Sequence, residues 1–304
     1  MTSKLYFIFL FFLIAVVTSC VTQVPAVSGG KIQRIENFES KYIQSRTIEV
    51  WLPANYSYKQ KYAVLYMQDG QMLFDSTTTW NRQEWKADET VSGLLQENKI
   101  KDVILVAIPS NGAFRHTEYF PQKPLAFLPA TVRDSVITQE LQHKPQADNY
   151  LLFLTKELKP FIDATFSTLP DQQNTFIAGS SMGGLIALYA ICEYPEVFGG
   201  AACLSTHWPG SLTQKNDLIP KAFATYLKAN LPSPKNHKLY FDYGTATLDS
   251  LYEPHQLLVD KIIKEKGYTS ENWVTRKFKG ADHSEKAWSK RLHIPLQFLL
   301  GKEQ

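Results

Sequence analysis

Residues 175–194 read TFIAGSSMGGLIALYAICEY. A short apolar run, 175–178, ends in Gly179-Ser180-Ser181-Met182-Gly183, and a long segment rich in Leu, Ile and Ala follows at once. The pattern is strand, sharp turn, helix. In a G-x-S-x-G turn the central serine takes a strained backbone position that pushes its hydroxyl out of the fold. Glycine at both ends lets the strand and helix backbones approach without Cβ clashes. The serine that fits is Ser181. A Gly/Ser turn that only caps a helix is the plainer reading of these five residues alone. Chemistry is favoured by context: β-type residues before the turn, an apolar helix after it, and an acid and then a histidine further downstream.

Working outward, residues 46–52 (RTIEVWL) alternate and are rich in β-formers, which predicts a strand. Residues 62–67 (YAVLYM) and 102–108 (DVILVAI) are nearly continuous apolar runs, as expected of strands buried on both faces of a parallel sheet. Asp88 is placed to cap a helix running to Asn98. Residues 109–147 carry Pro, Gly, His and aromatics without clear periodicity, the character of a lid or substrate wall after a strand. Helical spacing returns over 150–166, with Leu151, Leu154, Leu158 and Ile162 on one stripe. Residues 199–205, 238–243 and 273–278 read as strands, 211–236 as a helical insertion, and 254–266 and 285–300 as helices. The alternation predicts the α/β class: a mostly parallel sheet with helices on both faces and the functional site at the carboxyl ends of the strands.

The chain has 304 residues, 44% hydrophobic and 20% charged, with a formal net charge of +3, enough for one large domain and too mild and scattered a charge to imply nucleic acid. At the N-terminus, Lys4 precedes an uninterrupted apolar run over 5–17, closed by Val17-Thr18-Ser19-Cys20. This is the anatomy of an export signal, too short for a comfortable membrane span. Val-Thr-Ser-Cys resembles the bacterial lipobox, which implies removal of residues 1–19, lipidation of Cys20 and a lipid-anchored protein of the cell envelope. Residues 20–40 then read as a tether and 41–304 as the folded domain. Cys192 and Cys203 lie in apolar surroundings and read as buried free thiols, with a disulfide between them left open. No C-x-x-C or H-E-x-x-H pattern points to a metal, and no cofactor is expected.

A serine hydroxyl needs a base within hydrogen-bond reach and a third group to orient that base. His283 follows the last predicted strand, in Gly280-Ala281-Asp282-His283, and is the best-placed base; His255 and His293 fall inside predicted helices. Asp249, in the loop after residues 238–243, is the expected acid; Asp242 lies within that strand and Glu253 starts the next helix. An oxyanion hole needs two preset backbone N–H groups. Met182 supplies one, and Gln71, in the Asp69-Gly70-Gln71 turn, is the candidate for the other. Trp80, Trp85, Arg115, Tyr119, His207 and Trp208 lie on loops and are candidates for the substrate wall, although ordinary packing competes at each.

YAVLYMQDGQMLFD, WNRQEW, FRHTEYFP, AGSSMGG, YFDYGTATLD and GADHSEKAW together resemble the esterase D / putative esterase family, which includes enterobactin, feruloyl and acetyl-xylan esterases and the antigen 85 mycolyltransferases. The resemblance runs from about Arg46 to the end. It implies an α/β-hydrolase fold, Ser181 as nucleophile, His283 as base, Asp249 as acid, and the Gln71 and Met182 N–H groups as the oxyanion hole. The implied activity is carboxylic ester hydrolysis on an esterified glycan or a siderophore trilactone. An acyltransferase using the same residues and a non-catalytic glycan-binding lipoprotein are the alternatives.

Overall fold

The computed structural model describes residues 23–142, 144–211 and 216–302. The leader, Cys20 and part of the predicted insertion at 211–236 lie outside the described residues. Eight strands form one sheet: β1 (Lys31–Phe38), β2 (Arg46–Leu52), β3 (Ala63–Gln68), β4 (Val103–Ile108), β5 (Thr175–Ser180), β6 (Gly200–Leu204), β7 (Lys238–Gly244) and β8 (Trp273–Phe278). Their order across the sheet is β1-β2-β4-β3-β5-β6-β7-β8. β1 and β2 are antiparallel to each other, β2 is antiparallel to β4, and every pairing from β4 to β8 is parallel.

The helices are α1 (Ala87–Gln96), α2 (Arg115–Tyr119), α3 (Ala130–Ser135), α4 (Ala147–Leu152), α5 (Lys159–Thr165), α6 (Met182–Glu193), α7 (Leu218–Asn230), α8 (Glu253–Glu265), α9 (Glu285–Ser289) and α10 (His293–Leu300). The unbroken apolar runs of β3 and β4 are explained by two cores, one on each face of the sheet. Val64, Tyr66, Ile104 and Val106 point into the core shared with α4 to α8, while Leu65, Met67, Val103 and Leu105 point into the core shared with α1 and α10. Alternate residues of one strand thus feed opposite cores, so both sets must be apolar. Helix α6 is buried at every residue from 182 to 192, which accounts for its lack of a polar face. Cys192 and Cys203 are free and buried, and burial pushes both thiols up.

Several expectations change. Residues assigned to the tether form β1, and Ala26 and Ser28 donate their N–H groups to Asp75 and Asp88 at 2.9 and 2.7 Å. Asp88 is therefore not the cap of α1; Lys86, in the left-handed region at φ 54°, holds that position, and Asp88 turns inward to Ser28. The stretch 109–147 contains α2, a 3-10 turn and α3, which runs directly into a π-helical segment at Val136–Glu140, so no single helical period is kept. The helix over 147–165 holds a π-helical stretch, Phe153–Leu158, just before Pro160, whose missing N–H interrupts the regular ladder. The closing helix is broken between α9 and α10, where Arg291 turns inward to Asp242 at 2.9 Å.

One buried ion pair ties the irregular 109–147 stretch to the sheet. Arg46 of β2 donates to Glu118 of α2 twice, Nη1 to Oε2 at 3.0 Å and Nη2 to Oε1 at 2.7 Å, with both side chains almost fully buried. Removing one partner strands a charge in a low-dielectric interior, which costs about 3–5 kcal/mol. Glu118→Ala is expected to lower the unfolding free energy by about that amount in urea titration. A loss below about 1 kcal/mol would show that the pair does not anchor α2.

Candidate active site

Ser181 joins β5 to α6 with φ 56° and ψ −123°. A non-glycine residue stays in such a region only when its surroundings over-determine it. Here its N–H donates to Leu204 O at 2.9 Å, and its carbonyl accepts from Gly184, Leu185 and His207 N–H at 3.0, 3.3 and 3.2 Å. A Cβ on Gly179 would sit 2.6 Å from the Gly183 backbone, and one on Gly183 would sit 3.1 Å from Gln68 Cβ. The first contact explains the glycine before the turn. The second presses the turn against the end of β3.

Met182 opens α6, so its N–H has no acceptor within the helix. Gln71 lies in a single 3-10 turn, Gly70–Met72, closed by Met72 N–H donating to Asp69 O at 2.9 Å; the Gln71 N–H precedes that bond. β3 and β5 are paired with Met67 opposite Ala178, so these two N–H groups leave adjacent strands. The turn is held from its outer side. The Gln71 amide donates to Ser110 Oγ and accepts from Ser110 N–H, both at 2.9 Å. A Cβ on Gly70 would lie 2.5 Å from Ile108 N, so only glycine fits against β4.

Asp249, fully buried in the 3-10 turn after β7, places Oδ1 2.6 Å from His283 Nδ1. Its Oδ2 accepts from Ser205 Oγ at 2.5 Å and from Gly244 N–H at 2.6 Å. Burial acts to raise this carboxyl, but the hydrogen bonds from His283, Ser205 and Gly244 outweigh it and hold the pKa below the usual carboxylate value. The loops bearing the acid and the histidine are joined directly. Ala281 O accepts from Thr245 and Ala246 N–H at 3.0 Å each, Gly280 N–H donates to Thr245 Oγ1 at 2.8 Å, and His283 N–H donates to Thr247 Oγ1 at 3.0 Å. Gly244 is where they meet, since a Cβ there would lie 2.1 Å from Ala281 O.

Two residues that the sequence reading did not single out connect the pieces. Tyr252, fully buried, lies 2.9 Å through its hydroxyl from His207 Nδ1 and packs its ring edge-to-face on His283 at 5.8 Å. Trp288 packs edge-to-face on the same imidazole at 5.0 Å. Both are aromatic residues at helix starts or turns, a pattern that in sequence looks like ordinary core.

The proposed substrate wall divides. Trp80 is 83% exposed; its neighbour Asn81 donates to Glu285 Oε2 at 2.8 Å, which fixes this loop beside the His283 segment. Trp85 and Trp208, each 1% exposed, are core residues rather than wall. Trp85 stacks on Trp288 at 5.4 Å, and Trp208 donates to Gln256 Oε1 at 2.9 Å. Tyr119 is buried, its hydroxyl accepting from Asp69 N–H at 3.3 Å. Arg115 is committed to Asp69 through Nε–Oδ1 and Nη2–Oδ2 contacts of 2.6 and 2.7 Å. Burial opposes the charge of Arg115, yet Asp69 raises its pKa above the usual value. His207 is buried, its N–H donating to Ser181 O, and burial pushes it down to about 3, so it stays neutral. Glu253 is part-exposed and pairs with Lys277 at 2.7 Å, away from His283. Among the described residues, no group of three or more His, Cys, Asp or Glu is arranged to hold a metal.

The family model described as Putative esterase matches residues 40–296. The chain belongs to this esterase family. The esterase is 25% identical over 268 residues to the uncharacterised protein YbbA of Bacillus subtilis, covering 86% of this chain and 94% of that one. It is 28% identical over 184 residues to an endo-1,4-beta-xylanase/feruloyl esterase of Xylanibacter ruminicola, covering 59% of this chain and 22% of that protein. Among solved structures, the enterobactin esterase of Shigella flexneri superposes with a TM-score of 0.65 at 18% identity, over 90% of this chain and 60% of the other. A ferulic acid esterase of Anaeromyces mucronatus gives 0.58 at 18%, over 91% and 93%. The fold is that of the α/β-hydrolase esterases.

The two tryptophans of the 80–85 loop should separate experimentally. Trp85→Ala removes a buried ring and is expected to cost about 3–5 kcal/mol of stability, whereas Trp80→Ala should leave the melting temperature within about 1 °C. Differential scanning calorimetry of both variants checks this, and equal losses would place Trp80 in the core.

Proposed function

We propose that the esterase works as a serine hydrolase with Ser181 as nucleophile, His283 as base and Asp249 as the acid that orients it. The observation that carries this reading is the 2.6 Å contact between Asp249 Oδ1 and His283 Nδ1, on the exit loops of β7 and β8 of the sheet whose β5 exit holds a serine at φ 56°. With Nδ1 committed to Asp249, the imidazole presents Nε2 as the proton acceptor. His283 takes the Ser181 proton as the oxygen attacks the ester carbonyl, and the resulting oxyanion is met by the Met182 and Gln71 N–H groups. The protonated imidazole then gives its proton to the leaving alcohol, and water cleaves the acyl-enzyme with the roles reversed. No metal or organic cofactor enters this scheme.

For the substrate, the reading is a carboxylic ester carried on a glycan or an aryl group, such as an acetyl- or feruloyl-sugar, or a catecholate trilactone. The exposed Trp80 beside the His283 loop supports it, as a flat apolar surface on which a sugar or aromatic ring stacks. The structural neighbours, an enterobactin esterase and a ferulic acid esterase, point the same way. The Val17-Thr18-Ser19-Cys20 motif further supports an N-terminal lipid anchor on Cys20 and an address at the cell envelope.

Wild type is expected to hydrolyse a short p-nitrophenyl ester, with Ser181→Ala and His283→Ala reducing turnover at least about 10³-fold. Wild-type turnover in either variant would remove the serine mechanism. Asp249→Asn should lower kcat far more than Glu253→Gln, and the reverse order would transfer the acid role. Labelling of expressing cells with a radioactive fatty acid should mark wild type but not Cys20→Ala. Equal labelling of the two would remove the anchor.

A further inference from the structure

Behind the acid lies a polar knot that the proposed mechanism does not use. Ser205, at the exit of β6, is fully buried and sits at a positive φ of 41°, with its N–H donating to Asp242 O at 2.8 Å. Its hydroxyl oxygen is contacted by three groups: Trp288 Nε1 at 2.9 Å, Arg291 Nη2 at 3.0 Å and Asp249 Oδ2 at 2.5 Å.

The hydrogen-bonding inventory leaves this hydroxyl one arrangement. An indole N–H and a guanidinium N–H can only donate, so both lone pairs of Ser205 Oγ are occupied as acceptors. The single hydroxyl proton must then point at Asp249. Asp249 Oδ2, accepting the Ser205 O–H and the Gly244 N–H, is fully engaged, and Oδ1 alone is left to His283. Donors that bind a hydroxyl oxygen polarise its O–H and strengthen its own donation, more so when one of them is cationic. Arg291 also donates to Asp242 Oδ1 at 2.9 Å, which compensates its charge and holds the guanidinium still.

We propose that Ser205 is a positioning residue, through which Trp288 and Arg291 hold Asp249 ionised and aim one carboxylate oxygen at His283. The inference rests on the serine-hydrolase reading above and deepens it. Trp288 serves the arrangement twice, since its ring also packs on the imidazole that Asp249 orients. The charged and titratable groups around Asp249 are His283, Tyr252 and, through Ser205, the Arg291–Asp242 pair. Removing the Ser205 donor leaves more negative charge on the carboxylate. The coupled Asp249–His283 pair then takes up a proton at higher pH, whichever of the two carries it.

The test is the pH profile of kcat/KM for a p-nitrophenyl ester, with melting temperature and circular dichroism as folding controls. Ser205→Ala is expected to lower kcat by about 10- to 100-fold, with KM within about threefold of wild type, and to move the acid limb up by about one pH unit. Trp288→Phe keeps an aromatic ring against His283 but removes one donor from Ser205. It should move the same limb upward by a few tenths of a unit. A folded Ser205→Ala with an unmoved acid limb overturns the proposal, whatever its kcat, because a merely structural role predicts that result. If Ser205→Ala does not fold, an unmoved limb in Trp288→Phe overturns it instead. In either case, hydrolysis by wild type and its loss in Ser181→Ala leave the underlying serine mechanism standing, whereas an inactive wild type would remove that mechanism first.

Discussion

The site depends on a close approach of two backbones. Between Gly179 and Gly183 there is no space for a Cβ, and the serine between them is held at φ 56° by hydrogen bonds to its own N–H and carbonyl. Two of those bonds come from outside the turn, from Leu204 at the end of β6 and His207 just beyond it. The strain is therefore supported by the neighbouring strand, which is why the turn needs the whole parallel sheet behind it. Ser181 thus stands at the carboxyl end of β5, and the segments after β3, β6, β7 and β8 bring Gln71, Ser205, Asp249 and His283 to the same edge of the parallel strands.

Those groups arrive on loops that are fixed by hydrogen bonds rather than by regular structure. The Ala281 carbonyl accepts two N–H groups from the loop after β7, so the acid and the histidine move as one body. On the other flank, the Gln71 turn is clasped by Ser110, and Asp69 beside it is clamped by Arg115. Arg115 and Glu118 lie on the same short helix α2, and Glu118 is bound to Arg46 of the sheet. A chain of charged contacts thus runs from β2 through α2 to the turn that bears Gln71, the proposed second donor to the oxyanion. Preorganisation of this kind stabilises developing charge because nothing has to reorganise when the charge appears.

The histidines illustrate how burial separates roles that composition leaves equal. His207 and His283 both pack against Tyr252, but burial holds His207 neutral, bound through Nδ1 to the Tyr252 hydroxyl. His283 has a buried carboxylate on Nδ1 and an aromatic ring on either flank. One is fixed as a packing and hydrogen-bonding group. The other, with Nδ1 held by Asp249, is the base of the proposed mechanism.

Much of this was legible in the sequence wherever local pattern and chemistry coincide. The apolar runs of β3 and β4, the alternation of β2 and the small residues around Ser181 each reflect a constraint that acts on neighbouring residues: pleat, burial on both faces, or backbone clearance. The strand order, the placement of β1 in the sheet instead of the tether, and the break between α9 and α10 were decided only in three dimensions. So were the burial of Trp85 and Trp208, the exposure of Trp80, and the convergence of Ser205, Tyr252, Trp288 and Arg291 on the acid and the histidine. The physical reason is distance along the chain. A backbone clash or a hydrophobic period is written over a few residues, whereas Ser205 meets Arg291 only because the sheet folds positions 86 residues apart to within 3.0 Å.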